Sequence, residues 1–190
     1  MFKSLDPSMN KNPHLLRFLM TVFILPALIC GCSSSVTRYS SSAAGGYRLS
    51  EANKVSDVTI LLSPDAKEEL KDNLKFDQDE LRMHVERALK GYGVFDGAKK
   101  DQLPSIEIWV TDIRVRSNFS AVMWGFMAGS DSISGDIIIK DLTGKEIDRF
   151  KVSASYALGG FAGGQDSARL DWLYETFAKD ALKEMTETKE

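Results

Sequence analysis

Ile133-Ser-Gly-Asp-Ile-Ile-Ile-Lys-Asp-Leu-Thr-Gly144-Lys-Glu-Ile-Asp-Arg-Phe150-Lys-Val-Ser-Ala-Ser-Tyr-Ala-Leu158 reads as two strands joined by a turn. Ile133, Gly135, Ile137 and Ile139 alternate with Ser134, Asp136, Ile138 and Lys140. Phe150, Val152, Ala154, Tyr156 and Leu158 alternate with Lys151, Ser153 and Ser155. A period of two is that of a strand with one face in a core. Asp141-Leu-Thr-Gly144 supplies a tight turn, with glycine placed to take a positive φ. Upstream, Ile106, Ile108 and Val110 alternate in the same way with Glu107, Trp109 and Thr111. The three segments predict an antiparallel meander whose second face meets water.

Working outward, the remaining elements are helices and one more strand. Asp57-Val-Thr-Ile-Leu-Leu62 predicts a strand, ended by Ser63-Pro64, where proline suits an early helical position. A helix is predicted from Asp77 to Lys90. Asp77 with Glu80 has the spacing of a capping box, and Leu81, Val85, Ala88 and Leu89 share one face. Gly91 stands where a glycine would close that helix, and Val94-Phe95 reads as a short strand beyond it. The last element is a helix from about Asp166 to Lys183. Leu170, Leu173, Tyr174, Phe177, Ala178, Ala181 and Met185 form its apolar stripe. At about 100° per residue, Trp172 falls opposite that stripe, beside Lys179 and Lys183. The fold class expected is α+β, two-layer, with helices packed on one face of a mainly antiparallel sheet.

The N-terminal region reads as an export segment. Lys11 and Arg17 precede an apolar run from Phe18 to Gly31, interrupted only by Thr21 and Pro26. The run is shorter than the roughly 20 residues a spanning helix needs and has the form of a cleaved signal. Met9 offers a second start with a more ordinary basic region. Ile29-Cys30-Gly31-Cys32 resembles the bacterial lipobox, which implies cleavage before Cys32 and acylation of that residue. Ser33 and Ser34 follow where the sorting rule of such lipoproteins would place Asp for inner-membrane retention. The resemblance therefore implies the periplasmic face of the outer membrane. The organisation expected is a signal peptide over 1–31, a Ser/Ala/Gly-rich lipid-anchored tether over 32–46 and one globular domain over 47–190.

Charge and cysteine usage narrow the partners. The chain carries 24 Lys+Arg and 27 Asp+Glu, for a net charge of −3. Loss of residues 1–31 removes Lys3, Lys11, Arg17 and Asp6, leaving 21 basic and 26 acidic residues and a net charge of −5. An acidic chain without a basic stripe argues against nucleic acid as a partner. After Cys32 there is no cysteine, so the expected mature chain has no internal disulfide.

Catalytic groups are sparse. His14 goes with the signal, and His84 lies on a helix one turn from Leu81 and Ala88, a boundary position. With no second histidine and no free cysteine, an ordinary zinc site or a Cys–His or Ser–His pair is not expected. The carboxylates are scattered and show no calcium-loop spacing. Gly159-Gly-Phe-Ala-Gly-Gly164 precedes the last helix but lacks the Lys-Ser/Thr of a phosphate loop. No catalytic residue, metal or cofactor is assigned.

The most informative connection is Asn118–Ser130, which joins two strands yet carries Phe119, Val122, Met123, Trp124, Phe126 and Met127. Loops are ordinarily polar because they lie on the surface. Two readings stay open: an exposed binding surface or a cap on an open end of the core. On the first, Phe119, Met123, Trp124, Phe126 and Met127 form a docking site together with Trp172.

Gly125-Phe-Met-Ala-Gly-Ser-Asp-Ser132, the strand ending Lys140-Asp-Leu-Thr-Gly144, the Gly159–Gly164 run, the final helix and Leu89-Lys-Gly-Tyr-Gly-Val-Phe95 together resemble the lipoprotein family catalogued as domain of unknown function 4410. The resemblance spans most of Val55–Met185. It implies an envelope lipoprotein with an α/β domain and supplies no catalytic residues. The function expected is non-enzymatic: membrane attachment through Cys32 and binding of an envelope protein, a second copy included. The alternatives are a glycan or cell-wall hydrolase using paired carboxylates, which needs two acids converging in a pocket, and a small-ligand or lipid carrier, which needs an enclosed apolar cavity.

Overall fold

A computed structural model describes residues 33–39, 47–71, 75–115, 130–156 and 166–187. The chain divides into two units, Met1–Gly31 and Cys32–Glu190, and every described residue lies in the second. Its elements are β1 (Ser33–Arg38), β2 (Asp57–Leu62), α1 (Pro64–Glu69), α2 (Gln78–Gly91), a 3-10 turn (Gly97–Lys99), β3 (Ser105–Arg114), β4 (Asp131–Lys140), β5 (Glu146–Tyr156) and α3 (Asp166–Thr186).

The five strands form one sheet in the order β1-β5-β4-β3-β2. β3, β4 and β5 are the antiparallel meander, and the β4–β5 turn holds Gly144 at φ +81°. β2 joins β3 in parallel, which requires a crossover; α1 and α2 supply it. The three helices pack on the sheet against its inward row of Ile106, Ile108, Ile133, Ile137, Phe150 and Val152, all essentially buried. Every residue of the predicted α3 stripe, from Leu170 to Met185, is also buried. Each large side chain so buried contributes about 1.5–3 kcal/mol relative to exposure. The expected class, α+β with a mainly antiparallel sheet, is the observed one.

Three local details depart from the sequence reading. The composition of residues 32–46 predicted a tether, yet Ser33–Arg38 is an edge strand paired with β5 from Ser33↔Ser155 to Arg38↔Phe150. The reason is that only Val36 and Arg38 carry inward weight. Val36 lies opposite Val152, and the Arg38 guanidinium lies 5.4 Å from the centre of the Phe150 ring. Ser33, Ser35 and Thr37 face the other side and Ser34, opposite Ala154, adds little to the inward one, so the strand has the composition of a linker.

Helix α2 ends later than predicted. Gly91 is still helical, Tyr92 is the C-cap and Gly93 takes the left-handed conformation at φ +81°. The amides of Gly93 and Val94 donate to the carbonyls of Lys90 and Leu89 at 3.0 Å each. This is a Schellman motif, and the burial of Val94 beside Leu89 selects the second glycine over the first. Beyond it, Phe95 makes a single parallel bridge to Val55 rather than a strand.

The capping box at Asp77 is half formed locally and half by tertiary contact. Asp77 Oδ1 accepts from the amides of Asp79 (2.8 Å) and Glu80 (3.2 Å). Its own amide donates to the Tyr174 hydroxyl at 2.9 Å rather than to Glu80. Burial raises the Tyr174 hydroxyl well above the ordinary tyrosine range. It therefore stays protonated and ties α3 to the start of α2.

Candidate functional site

One end of the sheet collects four strand termini. β3 ends at Arg114, β4 starts at Asp131, β5 ends at Tyr156 and β1 starts at Ser33. Their register aligns them: Arg114 with Ser132, Asp131 with Tyr156, Ser33 with Ser155. Helix α3 begins at the same end. Arg169 Nε lies 3.3 Å from Asp131 Oδ2, and the Trp172 ring lies 4.9 Å from that of Tyr156, tilted by 49°. The chain between β3 and β4 therefore leaves and re-enters the sheet at this end, and so does the chain between β5 and α3.

Most of the sequence-derived docking residues cannot be placed in this geometry. Phe119, Met123, Trp124, Phe126 and Met127 lie outside the described residues, as do Cys32 and Gly159–Gly164. Trp172 is described. Rather than standing free on the polar side of α3, it is half-buried and packed on the edge of the core. The cause is Tyr156, which ends the inward row of β5 and reaches the flank of the helix.

The opposite end of the sheet holds a clamp that sequence reading did not single out. Arg38 Nη1 donates to both carboxylate oxygens of Asp148 at 3.0 Å. Its Nε meets Glu184 Oε1, and its Nη2 donates to the Glu184 carbonyl at 3.2 Å. Burial alone would lower the affinity of Arg38 for its proton, but the two carboxylates outweigh it and raise that affinity. Asp148 also accepts from the amides of Tyr47 (3.0 Å) and Arg149 (2.9 Å). The signal was present in the alternation. Asp148 shares the parity of Phe150, and Asp131 that of Ile133, so both acids sit in inward rows and need a cation.

The face of the sheet turned away from the helices is polar and internally paired. Lys140 Nζ donates to Glu107 Oε2 at 2.5 Å, and the Trp109 indole N–H donates to Glu107 Oε1. The Tyr39 hydroxyl donates to Asp136 Oδ1 at 2.7 Å. Burial pushes the Glu107 carboxyl up, but the hydrogen bonds from Lys140 and Trp109 outweigh it and hold the group below its usual range. A carboxyl lowered on folding stabilises the fold above its unfolded value, about pH 4.3, and that contribution is lost as pH falls through the folded value. Glu107→Gln should therefore be less stable than the parent at neutral pH, with the gap closing below about pH 4. Urea midpoints across pH check this, and a gap that stays constant contradicts it.

The carboxyls of Glu107, Asp141 and Glu175 are all displaced below their usual range. For Asp141 the first cause is the Thr143 hydroxyl, and for Glu175 it is Lys179. No group of three or more His, Cys, Asp or Glu among the described residues could hold a metal ion. His84 is the boundary residue expected, with Nε2 3.6 Å from Asp171 Oδ1 and its ring 5.9 Å from that of Tyr174. Beside it an open groove of about 390 Å³ runs between α2 and α3, lined by His84, Arg87, Tyr92, Glu175 and Lys179. No described helix is long and apolar enough to cross a membrane.

Comparison with known proteins gives a family and, among the solved structures that match, distant likenesses such as the following two. The structure of a PelC dodecamer from Paraburkholderia phytofirmans is 12% identical, with 82% of this chain and 99% of that chain covered and a TM-score of 0.47. A PDZ domain protein from Parabacteroides distasonis ATCC 8503 is 11% identical, with 87% of this chain and 39% of that chain covered and a TM-score of 0.32. No curated protein matches. The family model described as "Domain of unknown function (DUF4410)" matches residues 36–160. That span runs from β1 through the end of β5, well over half of the chain, and the chain belongs to this family.

Proposed function

We propose that this chain is a lipoprotein of the outer membrane, facing the periplasm, anchored by acylation of Cys32, whose domain binds or assembles with another envelope component without catalysing a reaction. The observation that carries the reading is the position of Cys32. It closes an apolar run of signal length and sits at the obligatory cysteine of a lipobox-like sequence. The chain enters its folded domain at the next residue. Each buried methylene contributes about 0.8 kcal/mol and a single chain anchors only marginally, so the three acyl chains implied by the lipobox hold the protein permanently. Phe119, Met123, Trp124, Phe126 and Met127 are the proposed docking residues. In sequence they lie between β3 and β4, whose ends at Arg114 and Asp131 share the rim with the start of β1 and with Trp172.

Cys32→Ser should move the protein from the membrane fraction to the soluble periplasm, with loss of the acylated peptide in mass spectrometry. Retention in the outer membrane after this change would exclude the anchor. Crosslinking in intact cells then reads the docking half of the reading. A specific envelope protein, or a second copy, joined near residues 119–127 supports it. Unchanged capture by Trp124→Ser/Phe126→Ser removes it.

A further inference from the structure

We propose that the domain stands on a lipid bilayer by the sheet end that carries Ser33, Tyr156 and Trp172, with the Arg38 clamp pointing away from the membrane. This rests on the reading of Cys32 as the acylated residue and adds which part of the domain meets the membrane. Consecutive Cα atoms are about 3.8 Å apart. Ser33 follows Cys32 directly and is already paired in the sheet with Ser155. A flexible tether of the length that the composition suggested would reach on the order of 20 Å. The observed strand leaves a single Cα step. The headgroup layer of one leaflet is roughly 5–7 Å deep, so the start of β1 lies in it or directly on it.

The strand cannot act as a leash, because it is part of the rigid body. Six register pairs hold it to β5, and Arg38 joins it to Asp148 and to Glu184 of α3. From the anchor, the ends of β5, β4 and β3 follow at lateral steps of about 4.8 Å. β1 itself runs about 17–20 Å away from the anchor, carrying Arg38 with it. The chemistry of the rim suits the position. The half-buried Trp172 packs there on the buried Tyr156, its ring tilted by 49°, and Trp is among the side chains that collect at the headgroup level. Asp131, the first residue of β4, is buried against Arg169 and is not presented to anionic headgroups.

Tryptophan quenching by brominated lipid tests the orientation. The full chain, made with its export segment and purified in acylated form, is reconstituted in phosphatidylcholine vesicles with and without bromine on the acyl chains. Trp109→Phe/Trp124→Phe leaves Trp172, on the rim. Trp124→Phe/Trp172→Phe leaves Trp109, in mid-strand on the helix-free face. Trp172 should be quenched several-fold more than Trp109. A Gly-Ser spacer of the length of the expected tether, inserted between Cys32 and Ser33, should remove the quenching of Trp172. This second comparison uses only the form that keeps Trp172, so it reads even where loss of that side chain disturbs folding. With Cys32 shown to be acylated, equal quenching of the two, or quenching of Trp172 that survives the spacer, overturns the orientation and leaves the lipoprotein reading standing. An unacylated Cys32 removes both.

Discussion

Arg38→Ala should lower the unfolding free energy by about 3 kcal/mol and free the first strand from the sheet. The Asp148 side chain is 0% exposed and faces Arg38 with both oxygens at 3.0 Å. Removing one partner of a buried pair leaves an uncompensated charge, which costs about 3–5 kcal/mol. The lower end applies here, because the amides of Tyr47 and Arg149 still donate to Asp148 and Arg38 is 18% exposed. Arg38→Lys should recover only part of the loss, since a single ammonium does not reproduce a planar fork that meets two carboxylates at once. Urea unfolding measures the cost, and hydrogen exchange at Ser33–Arg38 and along β5 shows whether the edge has opened. A cost below about 1 kcal/mol, the range of exposed pairs, would mean that the strand is not locked, and the membrane orientation argued above would lose its rigid connection.

The second large effect belongs to the other end of the sheet. Asp131→Ala should cost about 3–5 kcal/mol, because both side chains of the Asp131–Arg169 pair are only 2% exposed. This pair closes the rim by joining the first residue of β4 to the first turn of α3. Asp131→Leu/Arg169→Met should cost less than either change made alone, since replacing a whole buried pair by apolar groups removes the desolvation penalty together with the attraction. Denaturant midpoints of the two single forms and the double form give the coupling. Additive losses would show that the two charges do not act as a pair.

The two ends differ in how legible they were. The meander, the parity of its inward rows and the α3 stripe could be read residue by residue, because a half-buried strand or helix writes its environment into a period of two or 3.6. The capping carboxylate of Asp77 was equally visible, since the amides that donate to it, those of Asp79 and Glu80, lie two and three residues away. The partner of the Asp77 amide was not, because Tyr174 lies 97 positions further along the chain. Strand β1 was missed for a related reason. An edge strand with Ser33, Ser35 and Thr37 on its open face and only Val36 and Arg38 as large inward side chains has the composition of a linker. Its identity comes from a sheet edge supplied by residues more than a hundred positions away.

Of the candidate site, the sequence marked Cys32 and the apolar connection at 119–127 by type and position, since both depend on local composition. It also placed Trp172 on the helix side opposite the apolar stripe, by periodicity. Only the tertiary structure showed that Tyr156 covers part of that tryptophan, that Asp131 and Asp148 are matched by Arg169 and Arg38, and that the expected anchor is bonded to a strand rather than to a tether. Sequence by itself determined what repeats along the chain: helix, strand, turn, and the class of fold they build. The tertiary structure decided what each unrepeated charged or aromatic side chain meets, because such a contact depends on two distant segments arriving at one place and leaves no period in either.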